Sequence, residues 1–155
     1  MNAMSLHHTS FTVADLDESV AWYEGIGCTV EASHLIEGAW LDRLTGLSGC
    51  KMKLAFLSTP GVRDVLLELI EYLAPSARAS AVAPNIVGSG HIAFQVDDVE
   101  GAVAKFATHG VNPLASPVFI EEGPFSGNTV VYLSRGRGEL IELTQPEHFV
   151  PNDHV

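Results

Sequence analysis

The chain has 155 residues, 46% of them hydrophobic and 17% charged, which suits one compact domain or two small halves and excludes a disordered or low-complexity protein. Nineteen acidic against eight basic residues give a formal charge of -11, and the basic residues are scattered from Arg43 to Arg137, so nucleic acid is excluded as a partner. With no apolar run of bilayer length, no basic and apolar leader, and only Cys28 and Cys50, the chain reads as a cytoplasmic protein with no membrane partner. Residues 1–3, ahead of a second Met, are set aside as a cloning remnant.

The first element, "HHTSFTV" from His7, alternates in the manner of a strand with two unlike faces. Phe11 and Val13 share one face, while His8, Ser10 and Thr12 share the other; by the same alternation His7 faces away from His8. Asp15 then caps a helix, with Glu18 completing a capping-box pattern and Val20 and Tyr23 at helical spacing before a glycine stop. Strands follow near Thr29 to Leu35, Lys51 to Leu57 and Val65 to Tyr72. Between the first two lies "EGAWLDRLTGLSG", a short amphipathic insertion that reads equally as a lid over a pocket or as a turn packed on the sheet.

A Pro, Ala, Ser and Gly stretch at 76–89 reads as a linker, and then the pattern starts again. "GHIAFQVDD" repeats the opening motif at an offset of 91 − 8 = 83, which places His91 on His8, Phe94 on Phe11, Asp98 on Asp15, Phe106 on Tyr23 and Gly110 on Gly27. Strands are expected near Asn112 to Phe119, Thr129 to Ser134 and Glu139 to Thr144. Self-similarity over a whole supersecondary unit implies that each unit folds alike. The fold class is therefore α+β, with one βαβββ module at 4–75, a second at 90–146 and a tail at 147–155.

The closing strands carry a second match: Glu68 in "LLELIEY" and Glu142 in "LIELTQP", offset by 142 − 68 = 74. A carboxylate in an apolar strand needs a partner or a wet cavity. If both modules curl alike, His8, Glu68, His91 and Glu142 meet on one concave surface as two imidazoles and two carboxylates, a shell for a divalent ion. His34, His109, His148 and His154 have no such matched partners, and Trp22 reads as a packing residue.

In this combination the chain resembles the vicinal oxygen chelate superfamily, which includes glyoxalase I, methylmalonyl-CoA epimerase, extradiol dioxygenases and bleomycin-resistance proteins. The resemblance runs from Leu6 to about Pro146. It implies paired modules around a cupped mixed sheet, a homodimer, and His8, Glu68, His91 and Glu142 as metal ligands, closest to the glyoxalase I and epimerase branches. The ion would be Ni2+, Zn2+, Co2+, Mn2+ or Mg2+. The reaction implied is a metal-dependent lyase or isomerase step, moving a proton next to a carbonyl on a small substrate chelated through vicinal oxygens. Glu142, with Glu68 as partner or alternate, would carry the proton.

Ser10, Thr12, Tyr72, Gln95 and Thr144 would line the pocket, with Trp40 from the insertion. Thr12 stands where bacterial glyoxalases place an arginine, and Tyr72 where they place an asparagine, so a glutathione adduct fits poorly. The sparse basic residues likewise offer no cradle for the phosphates of an acyl-CoA epimerase. Fe2+ and dioxygenase chemistry is the next alternative, disfavoured by Glu68 as a fourth ligand. A non-catalytic binding protein of the bleomycin-resistance kind is the third.

Overall fold

The computed structural model describes residues 5–78, 83–86, 88–136 and 139–149. The tail beyond 149, with His154, lies outside the described residues, as do five positions of the linker. The chain forms two compact units that divide within the linker. The first contains β1 (His8–Thr12), α1 (Leu16–Gly25), β2 (Thr29–Glu37), α2 (Ala39–Thr45), β3 (Lys51–Ser58) and β4 (Leu66–Ala74). The second contains β5 (His91–Gln95), α3 (Val99–Ala107), β6 (Asn112–Pro113), β7 (Val118–Phe119), β8 (Thr129–Ser134) and β9 (Leu140–Gln145). The α+β class and the βαβββ order follow the sequence reading, with α2 as the insertion of the first module. No described helix is long and apolar enough to cross a membrane.

The two sheets are built to one plan. In the first the strand order is β1-β4-β3-β2, with β1 parallel to β4 and the other pairs antiparallel. The second runs β5-β9-β8-β6, with β5 parallel to β9 and β7 also on β8. Even the register is kept, since Ser10 lies opposite Glu68 and Ala93 opposite Glu142. One expected strand, Asn112 to Phe119, is instead the two short pieces β6 and β7. Pro113 and Pro117 break it, because each lacks the N–H that a continuous ladder needs.

Each helix is tied to its sheet in the same way. Asp15 Oδ1 accepts the Glu18 N–H at 2.8 Å and Asp98 Oδ1 accepts the Gly101 N–H at 3.0 Å, so both caps form as the sequence indicates. A second tie was not foreseen. The Leu16 N–H donates to Glu71 Oε2 at 3.0 Å, and the Val99 N–H donates to Gln145 Oε1 at 2.8 Å, which fastens each helix start to the closing strand of its module. Lys53 extends the first tie, reaching Glu71 at 3.6 Å and Asp17 at 3.2 Å. Its Asp17 hydrogen bond, and then the Glu71 charge, hold the ammonium pKa above its ordinary value.

At the helix exits the Cys28 N–H reaches the Tyr23 carbonyl and the Val111 N–H the Phe106 carbonyl, with Gly27 and Gly110 at positive φ between them. α1 buries Leu16, Ser19 and Tyr23 against the sheet face carrying Leu57, Leu67 and Leu69. In the second module Val99 and Phe106 of α3 are buried, as are Val131, Leu133, Ile141 and Leu143 on the equivalent sheet face. Removing either cap, by Asp15→Ala or Asp98→Ala, is expected to lower unfolding free energy by about 1 kcal/mol in urea titrations. An unchanged midpoint in both variants would count against the shared helix entry.

Candidate functional site

Alternation along the strands puts His8, Ser10 and Thr12 of β1, Glu68, Ile70 and Tyr72 of β4, and Met52, Leu54 and Phe56 of β3 on the face opposite α1. The face opposite α3 carries His91, Ala93 and Gln95 of β5, Glu142 and Thr144 of β9, and Val130 and Tyr132 of β8. Each module therefore brings its own two predicted ligands together. His8 Nε2 lies 3.5 Å from Glu68 Oε2, and His91 Nε2 lies 3.1 Å from Glu142 Oε2. The imidazoles are 37% and 42% exposed, while the carboxylates are only 11% and 19% exposed. The carboxylates sit at the floor of the face and the rings at its accessible edge.

Neighbouring ligands held about 2 Å from one ion stand roughly 3 Å apart, so these two separations suit shared coordination as well as direct pairing. An imidazole beside a carboxylate is a donor set for a hard or borderline divalent ion. Within either module, among the described residues, no third His, Cys, Asp or Glu joins the pair to form a metal-holding group.

Around the pairs the structure adds residues that sequence reading missed. His8 packs edge-on against Phe56, with ring centroids 5.6 Å apart, and His91 packs edge-on against Tyr132 at 5.3 Å. Phe56 lies directly across the ladder from Glu68, and Tyr132 directly across from Glu142, so these aromatics are themselves equivalents. Phe56-Leu57-Ser58 and Tyr132-Leu133-Ser134 were the signal that could have revealed them. The Tyr132 hydroxyl donates to Glu142, an interaction for which Phe56 has no atom. Burial first, and then that hydrogen bond and the Glu142 charge, raise the Tyr132 phenol above its usual pKa. Tyr72 is also raised, by burial first and then by the Cys50 and Glu68 charges.

His7 corrects the sequence reading. Expected on the opposite face, it instead places Nδ1 2.8 Å from Nδ1 of His8, with its ring 6.5 Å from Phe56. His7 lies just ahead of β1, and although its carbonyl still accepts the Leu66 N–H at 3.1 Å, its side chain does not follow the alternation of the strand. A second nitrogen held this way orients a histidine whose other nitrogen faces a ligand site. Gly90 stands at the corresponding place of the second module, where no side chain can act.

The insertion lies on the sheet face that carries His8 and Glu68. Leu41 of α2 is fully buried with Cys50, Met52 and Leu54, and Ile36, Phe56, Ile70 and Tyr72 pack against them. Asp42 ties the following loop down, its carboxylate accepting the Gly49 N–H at 2.9 Å and the Cys50 N–H at 2.7 Å. Those two bonds hold the Asp42 carboxyl below its usual pKa. Leu41 is packing, the second of the two sequence alternatives, while Trp40 is half exposed and Leu44 is 72% exposed. Of the other predicted pocket residues, Ser10 and Thr12 are exposed and Tyr72 and Thr144 half-buried. Gln95, also exposed, borders an open groove at the head of α3 with Asp98, Gly101 and Lys105.

Comparison with known proteins bears on this arrangement. A family model described as the Glyoxalase/Bleomycin resistance protein/Dioxygenase superfamily matches residues 7–132. A 2-epi-5-epi-valiolone epimerase from an Actinomyces species is 33% identical over 147 residues, covering 91% of this chain and 79% of its own length. The crystal structure of a glyoxalase family protein from Bacillus cereus superposes with a TM-score of 0.78 at 26% identity, over 94% of this chain and 95% of the other. A fosfomycin resistance protein from Listeria monocytogenes shares the fold, with a TM-score of 0.58 at 20% identity over 92% and 93% of the two chains. With that match extending across both modules, the chain belongs to the glyoxalase/bleomycin resistance protein/dioxygenase superfamily, the vicinal oxygen chelate group.

Proposed function

We propose that the protein is a metal-dependent isomerase of the epimerase type, moving a proton on the carbon beside the carbonyl of a small hydroxyketone. The observation that carries the reading is the duplicated His–Glu pair, at 3.5 and 3.1 Å, on equivalent strands of the two modules. His8, Glu68, His91 and Glu142 would hold one divalent ion. When bound, the ion supplies Lewis acidity to the substrate's vicinal oxygens, favouring loss of a proton from the intervening carbon.

The remaining steps belong to the chain's own side chains. One carboxylate, Glu68 or Glu142, would take the proton from one face of the carbon, and the other would deliver a proton to the opposite face. His8 and His91 position the carboxylates, and the edge-on aromatics Phe56 and Tyr132 limit rotation of the imidazoles. Ser10, Thr12, Tyr72, Gln95 and Thr144 offer hydroxyl and amide groups suited to a polar substrate, with Trp40 as an apolar wall. An epimerase among the relatives supports this choice over a glutathione lyase, as does Thr12 at the position of the glyoxalase arginine.

The test is to incubate the protein, reconstituted with Co2+ or Ni2+, with 2-epi-5-epi-valiolone and a panel of small hydroxyketones in deuterated water. Metal-dependent deuterium incorporation beside the carbonyl is expected for at least one of them. Absence of exchange across the panel in metal-loaded protein would contradict the proposal.

A further inference from the structure

The two ligand pairs are equivalent in position but differ in what steadies them. In the first module the support is on the histidine: His7 Nδ1 meets His8 Nδ1 at 2.8 Å, and Phe56, opposite Glu68, leaves the carboxylate without a hydroxyl donor. In the second module the support is on the carboxylate. Gly90 offers His91 nothing, whereas Tyr132 is paired across the ladder with Glu142, donates its hydroxyl to it and packs its ring 5.3 Å from His91. Exposure does not separate the carboxylates, at 11% and 19%; their hydrogen bonding does.

Resting on the metal-site reading above, we propose that Tyr132 is a positioning residue: its hydroxyl steadies Glu142 for the ion, a support that Phe56 cannot give Glu68. A residue that orients a ligand typically changes metal affinity about 10- to 100-fold when removed.

The experiment compares Mn2+ binding, followed by the electron paramagnetic resonance of the free ion, in the full chain and in Tyr132→Phe and Phe56→Tyr. Tyr132→Phe is expected to weaken Mn2+ about tenfold or more while the apoprotein melts as the parent does, a split that a merely structural role would not produce. Phe56→Tyr, which gives Glu68 the donor that Glu142 has, is expected to tighten Mn2+ several-fold. Should Tyr132→Phe fail to fold, this second variant decides alone, and unchanged affinity overturns the inference. If the parent binds Mn2+ and Tyr132→Phe binds it equally well, the positioning role fails and the metal-site reading stands. If the parent and a His91→Ala control bind alike, both fail.

Discussion

Glu68→Gln and Glu142→Gln are each expected to lower deuterium exchange into substrate by about 10²- to 10⁴-fold, the usual contribution of a positioned acid or base. Glutamine keeps the length and shape of the side chain, so the ladder opposite Ser10 and Phe56, or opposite Ala93 and Tyr132, is retained. What is lost is the ability to carry a proton and much of the strength of a carboxylate ligand. Stability should not fall with activity. A carboxylate at the floor of a sheet face is costly to desolvate, and a neutral amide of the same volume costs less, so the metal-free variants are expected to melt at or above the parent temperature. The two should part in metal binding, with Glu142→Gln losing the ion more completely than Glu68→Gln. Full exchange activity in either variant, measured with metal in excess, would remove that glutamate from the proton transfer.

The second large effect concerns the core that holds these carboxylates in place. Leu69 and Leu143 are fully buried on the helix-side faces of β4 and β9, each immediately following its glutamate. In a strand such a neighbour points the opposite way, so its packing fixes the strand whose other face presents the carboxylate. Leu69→Ala and Leu143→Ala are each expected to cost about 2–5 kcal/mol, the transfer loss plus an incompletely relaxed cavity. Equilibrium urea unfolding checks this, and a loss below about 1 kcal/mol at either position would mean that the site collapses more easily than its burial implies.

Duplication makes much of this protein legible in its sequence. A strand, an Asp cap, a helix and a glycine exit repeated at one offset, and local chemistry dictates each of them, so both modules could be read. Glu68 and Glu142 were legible for the same reason, because their strands repeat and a mid-strand carboxylate stands out against leucine and isoleucine. Phe56 and Tyr132 were not, because their correspondence follows neither offset. The α2 insertion and the shortened β6 and β7 shift the spacing, and only the antiparallel register places each aromatic across from its glutamate. His7 was misplaced by extending a strand's period one residue past its start. Glu71 and Gln145 escaped notice because a glutamate and a glutamine in a closing strand look like surface residues until a helix N-terminus is found above them.

Metal content of the full chain tests the proposed metal site most directly. After reconstitution with a divalent ion and removal of excess, the parent protein is predicted to retain one ion per chain, and His8→Ala and Glu142→Ala, one from each module, to lose it. A parent that retains no ion, or variants that both keep a full complement, would contradict the proposed metal site.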